Sequence, residues 1–75
     1  MNAPVLTYPF KVAQPAAFAD LDLVCAVHAV MTDEGEEVHT GTRGTVVAVY
    51  GGGKAYEVEF EIGLATIYAA DLVKA

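Results

Sequence analysis

Few residues in this chain have the reach to do chemistry. Cys25 and His28 stand three apart in the run D-L-D-L-V-C-A-V-H-A-V-M at 20–31, and His39 follows in a polar loop. A cysteine nucleophile needs a base within hydrogen-bond distance. The run reads as a strand, and residues three apart on a strand point to opposite faces, so the spacing argues against a Cys–His pair. One thiol and two imidazoles also lack the paired spacing of a zinc site, so no metal is expected. Gly51-Gly52-Gly53-Lys54 has the composition of a phosphate loop. A Walker loop, however, is G-x-x-x-x-G-K-[ST] opening a helix, and a β-rich run follows Lys54, so this is a hairpin turn.

The carboxylates fall into two groups. Asp33, Glu34, Glu36 and Glu37 crowd the loop T-D-E-G-E-E-V-H-T-G-T at 32–42, whereas Glu57, Glu59 and Glu61 alternate with Tyr56, Val58 and Phe60. The D-x-D-x-D-G spacing of a calcium loop is absent from the first group. In the second, alternation puts the apolar side chains on one face and the three carboxylates on the other, exposed one. No neighbouring residue in the sequence marks any of them for a perturbed pKa. The chain is therefore not expected to be an enzyme, and no catalytic residue or cofactor is assigned. Two binding surfaces remain. The seven carboxylates could form a patch for a basic protein. Alternatively, Tyr50, Tyr56 and Tyr68 could line an edge groove for a small molecule.

The elements that position these residues start from 44–61, G-T-V-V-A-V-Y-G-G-G-K-A-Y-E-V-E-F-E. Two β-rich arms flank three glycines, which enter the φ > 0 conformations of tight hairpin turns without steric cost. A two-residue turn would set Val47 opposite Val58, and a three-residue turn would set Val46 there. A slip of one residue exchanges the two faces. Upstream, 20–31 is expected to be a strand of about eight residues, bent midway, with Leu23, Cys25, Val27, Ala29 and Met31 on one face. Val38 is the apolar anchor of the acidic loop. Downstream, a turn at Ile62-Gly63 leads to a strand at 64–68, a short 3₁₀ turn at 69–72 and a tiny last strand at 73–74.

At 75 residues the chain makes one domain, with an arm at 1–19 broken by Pro4, Pro9 and Pro15 and a β domain at 20–75. The composition, 55% hydrophobic and 19% charged, is that of a compact fold. Ten acidic and four basic residues give a net charge of −6, which disfavours nucleic acid and favours a basic protein partner. A single cysteine forms no internal disulfide and reads as a buried, reduced thiol, so a cytoplasmic location is expected. No stretch approaches the roughly 20 apolar residues of a membrane span, and no signal peptide is evident. Tyr8, Phe10 and Phe18 in the arm would either cover an open side of the domain or pack on a second copy. The high apolar fraction favours the second, a homodimer.

Short strands at close spacing suggest a small barrel, because closure removes exposed edges. The pattern D-x-V at 22–24, G-x-x-G-T-V-V at 41–47 and Y-x-V-E-F at 56–60 then resembles a small bacterial family catalogued only as a domain of unknown function. The matching residues are Asp22, Val24, Gly41, Gly44, Thr45, Val46, Val47, Tyr56, Val58, Glu59 and Phe60, and the resemblance covers about residues 20–74. It implies a five-stranded SH3-like barrel with a 3₁₀ turn before the last strand. Members are often stand-alone proteins on mobile elements or beside toxin-like partners. The resemblance thus implies a protein-binding module, an antitoxin- or immunity-like partner of a basic protein, and no catalytic residues.

Overall fold

A computed structural model of the chain describes residues 17–75. Residues 1–16 of the arm at 1–19, with Tyr8 and Phe10 and the dimer expected through them, lie outside the described residues. Seven strands follow one another: β1 Leu23–Ala26, β2 Val30–Met31, β3 Glu37–Val38, β4 Arg43–Tyr50, β5 Ala55–Phe60, β6 Gly63–Tyr68 and β7 Leu72–Lys74. A 3₁₀ turn, Ala69–Asp71, precedes β7. No helix among the described residues is long and apolar enough to cross a membrane. The molecule is all-β. Five strands form one antiparallel sheet in the order β6-β5-β4-β1-β7, and β2 and β3 pair as a separate ribbon. None of the strand pairings joins β6 to β7, so the sheet is not closed.

The β4–β5 hairpin is the centre of the sheet. Gly51, Gly52 and Gly53 all adopt positive φ (60°, 71° and 109°), a succession that side chains with a Cβ resist. The turn spans four residues, longer than either length considered from the sequence, and Tyr50 pairs with Ala55. Val46 pairs with Val58, and the register then shifts, leaving Val47 as the extra residue of a β-bulge. This decides between the two valines: Val46 is fully buried and Val47 is exposed.

The inward row of β5, Tyr56, Val58 and Phe60, meets Val24 and Ala26 of β1, Val46 of β4, Ala65 and Ile67 of β6, Leu72 of β7 and Val38 of the ribbon. Phe18 completes this core. Its ring meets Tyr56 edge to face at 5.2 Å, and its backbone N–H donates to the Tyr56 hydroxyl at 3.2 Å. A residue assigned to the arm from the sequence is thus a core residue. The two faces of β1 are now told apart. Val24 and Ala26 face in, while Leu23 is exposed, because pairing of β1 with β4 sets Val24 across from Gly44 on the inner face. The bend within 20–31 falls at Val27-His28, where the chain leaves the sheet for the ribbon.

Two polar ties hold the edge strand β7. The Asp22 carboxylate accepts the Ala19 N–H at 2.9 Å and lies 3.5 Å from the Lys74 ammonium. His28 lies 3.6 Å from Asp71, beside the bond from the Val27 N–H to the Asp71 carbonyl. Leu21, between Ala19 and Asp22 of the first tie, holds φ at 73°, a left-handed conformation that costs a leucine about 1–2 kcal/mol. The bonds on either side keep it there: the Leu21 N–H donates to the Val46 carbonyl and the Val46 N–H to the Asp22 carbonyl.

Gly44 explains how closely the layers approach. A Cβ there would stand 2.6 Å from Val58 Cγ1 and 2.8 Å from the Phe60 ring. Gly44→Ala is expected to cost about 1–3 kcal/mol by overpacking. Phe60→Ala, which opens a cavity at the same place, is expected to cost about 3–5 kcal/mol. Urea denaturation of both variants checks the pair, and wild-type stability in either would contradict this packing.

Candidate functional site

The outer face of β5 departs from the alternation of the sequence. Glu59 is exposed, Glu61 lies in the turn beyond the strand and is also exposed, but Glu57 is buried, with 8% of its surface accessible. The expectation that all three carboxylates face solvent is corrected for Glu57. Its neighbours across the sheet are Ala48 of β4 and Thr66 of β6. The Thr66 hydroxyl donates to Glu57 Oε1 at 2.6 Å, and the Tyr50 hydroxyl reaches the same oxygen at 3.4 Å. The acidic loop is tied to the edge of the same sheet, where its Asp33 N–H donates to the Leu64 carbonyl of β6 at 2.7 Å.

The loop tip is internally braced. The Thr32 N–H donates to the Glu36 carbonyl at 2.7 Å, the Gly35 N–H to the Thr32 carbonyl at 2.9 Å, and the Glu36 N–H to the Thr32 hydroxyl at 2.9 Å. Thr32 is buried against Gly63, which explains why this polar residue sits at the root of an exposed loop.

Burial pushes the Glu57 carboxyl above its ordinary value of 4.5. The Thr66 hydrogen bond works against that rise, the neighbouring Asp33 carboxyl adds to it through hydrogen bonding and charge, and the Tyr50 bond again opposes it. The Tyr50 hydroxyl is raised as well, by burial first and then by Glu57 and Asp33, so it remains a neutral donor. Asp22 moves the opposite way. The Ala19 N–H, and then Lys74, hold it below 3.8 against the effect of burial.

The loop carboxylates Asp33, Glu34, Glu36 and Glu37 are exposed. Asp33, Glu34 and Glu37 flank the β5–β6 turn. A groove of about 370 Å³ lies between Asp33 and Glu34 on one side and Ile62, Gly63 and Leu64 on the other. A second, of about 240 Å³, runs from Glu37 and His39 over Val38 and Phe60 to Glu61 and Ile62. Ile62 stands half exposed where the two grooves meet, with Leu64 beside it. A third groove, about 390 Å³, passes Leu23, Arg43 and Thr45 to Glu59 and Glu61.

The structure thus brings six of the seven sequence-selected carboxylates to the surface and buries the seventh on β5. It separates the three tyrosines. Tyr50 and Tyr68 project from the outer face, and Tyr56 is fully buried in the core, so they do not line one groove. Cys25 is half-buried on β1, and His28 points to Asp71. Among the described residues no group of three or more His, Cys, Asp and Glu could hold a metal ion. Sequence reasoning missed Thr66, Ile62 and Leu64. A signal for Thr66 was present, since hydroxyl residues flank the β5 carboxylate on both neighbouring strands, but it needs the register to be read. Comparison with protein-family models, curated proteins and solved structures finds no match to this chain.

The raised Glu57 carboxyl has a sign that can be measured. Between 4.5 and its folded value the native state binds more protons than the unfolded state, so stability falls as pH rises through that window. Asp22 opposes this only at lower pH, losing its contribution as pH falls below 3.8. Chemical denaturation as pH is raised from 4.5 is expected to show stability declining in the wild type and a flatter profile in Glu57→Gln. Equal slopes in the two proteins would contradict the burial of an ionisable Glu57.

Proposed function

We propose that the chain is a non-catalytic protein-binding module, built on a small SH3-like barrel, whose partner is a basic protein. The observation that carries this reading is the surface at the β5–β6 turn. Ile62 and Leu64 form an exposed apolar centre, with Asp33 and Glu34 on one side and Glu37 and Glu61 on the other. An apolar anchor within a polar rim is the usual anatomy of a protein interface. Among the described residues none of these four carboxylates is ion-paired, so the rim is free to meet Lys and Arg. Charge of this kind speeds encounter and excludes acidic competitors more than it adds affinity.

The barrel is supported by the order of elements: a first strand, a long loop carrying a ribbon, a three-strand meander, a 3₁₀ turn and a last strand returning to pair with the first. The Asp33–Leu64 bond supports it too, because it brings the loop to the free edge of β6. The sequence resemblance to a family found beside toxin-like partners points the same way. An antitoxin- or immunity-like role, with the acidic surface neutralising a basic protein, fits both.

A defined probe tests the surface. A peptide with one leucine between lysine pairs is titrated into labelled protein, beside the same peptide with glutamates in place of lysines. The basic peptide is expected to shift the amides of Ile62, Gly63 and Leu64 and to lose affinity as salt is raised. Reversing the rim with Glu37→Lys and Glu61→Lys is expected to slow its association by about tenfold or more at low salt. Equal response to both peptides, or shifts confined to other surfaces, would overturn the reading.

A further inference from the structure

We propose that the free edge of β6 is an interface for a second copy of this chain, the two β6 strands pairing antiparallel about a two-fold axis at Ile67. Two hydrogen bonds fix which backbone groups face that edge. The Ala69 N–H donates to the Lys54 carbonyl on the β5 side, and the Leu64 carbonyl accepts the Asp33 N–H on the other. Successive residues of a strand direct their backbone groups to opposite sides. Leu64, Thr66 and Tyr68 therefore present theirs to the edge, whereas Ala65 and Ile67 turn theirs to β5. Among the described residues the Thr66 N–H, the Thr66 carbonyl and the Tyr68 N–H have no backbone partner. The opposite edge is protected in the usual manner, since β7 has three residues and carries Lys74. β6 has six residues, G-L-A-T-I-Y, and none is charged.

The two ends of this edge select the occupant. At Leu64 the acidic loop, tied there by Asp33, blocks it. Beyond Tyr68 the chain leaves the edge in the 3₁₀ turn Ala69–Asp71. The open stretch is thus 66–68, and a longer strand laid along it would run into the loop. The β6 strand of a second copy would not, because its own chain turns away after Tyr68. With the two-fold at Ile67, each Tyr68 N–H donates to the Thr66 carbonyl of the other copy. Each Thr66 N–H donates in return to the other Tyr68 carbonyl, whose oxygen has two lone pairs. Tyr68, 71% exposed, then lies beside Thr66 of the second copy on the outer face, a cross-strand pair between an aromatic and a β-branched residue.

Charge agrees with this arrangement. Asp33 and Glu34 mark the Leu64 end, and the exposed Lys54, bonded through its carbonyl to Ala69, marks the Tyr68 end. Lys54 forms no ion pair among the described residues. Antiparallel pairing brings the acidic end of each copy to the Lys54 end of the other, so the edge is complementary to itself. A uniformly basic strand would match the first end and be repelled at the second. The interface is isologous, as a two-fold requires. Ile62, Glu37 and Glu61 lie at the β5–β6 turn, outside the paired stretch, so the pairing does not depend on the proposed function.

The test is sedimentation velocity of the full chain across a dilution series, with amide hydrogen exchange at Tyr68 in the same samples. The wild type is expected to sediment as a dimer that dissociates on dilution. The Tyr68 amide is expected to exchange slowly in the dimer and fast in the monomer, where it has no backbone partner. Tyr68→Pro removes this N–H at a residue whose φ of −69° already suits proline. It is expected to keep the fold and raise the dissociation constant by about tenfold or more, with Tyr68→Ala, which keeps the N–H, between the two. The exchange measurement needs no variant, so it decides the matter even if Tyr68→Pro folds poorly. A wild type that is monomeric at every concentration overturns the interface, as does a Tyr68 amide that is open in the dimer or closed in the monomer. A Tyr68→Pro dimer as tight as the wild type, or a Tyr68→Ala dimer as weak as Tyr68→Pro, overturns it too.

Discussion

One strand of this small sheet is buried on both faces, and the rest of the molecule is arranged to make that possible. Ala55, Tyr56, Glu57 and Val58 of β5 are all inaccessible, although an antiparallel sheet this size commonly leaves one face wet. The inner side is covered in the ordinary way, by the apolar residues of β1, β4, β6 and β7 and by Phe18 from the N-terminal side. Phe18 also completes the hydrogen bonding of Tyr56, whose hydroxyl would otherwise be a buried polar group at the margin of the core. Close approach of β4 to this row requires Gly44, and the bulge at Val47 shifts the register beyond it.

The outer side needs a different solution, because the residue there is a carboxylate. Burying a charge is costly unless it is paired or neutralised. Among the described residues no cation pairs with Glu57. Two hydroxyls, one from each flanking strand, take up one of its oxygens, and burial raises its proton affinity above the ordinary value. Beside it, the Asp33 N–H bond to the Leu64 carbonyl docks the acidic loop on β6, covering part of an edge that would otherwise be free to pair.

Much of the fold is legible in the sequence because it rests on local rules. The glycine turn, the inward Val58 and Phe60, the 3₁₀ turn and the short last strand follow from positive-φ demand, two-residue periodicity and turn composition. What was misread is non-local. Alternation identifies two faces of β1 but not which is inner, and pairing with Gly44 chose Val24 over Leu23. The turn length alone could not place Val46, because the bulge intervenes. Phe18 looked like part of an arm because its partner, Tyr56, lies 38 positions away. Glu57 looked like its neighbours Glu59 and Glu61 because nothing near it in sequence reveals that the Thr66 and Tyr50 hydroxyls of the flanking strands converge on it. The apolar centre of the proposed surface was missed for the same reason: Ile62 gains meaning only beside carboxylates brought there by the loop.

The measurement that tests this account most directly is the ionisation of Glu57 itself, followed through its carboxyl carbon signal in labelled protein as pH is raised. A carboxyl buried on β5 must titrate above its ordinary value of 4.5. A Glu57 that titrates at or below that value would contradict the account, because its carboxyl would then not be held away from water.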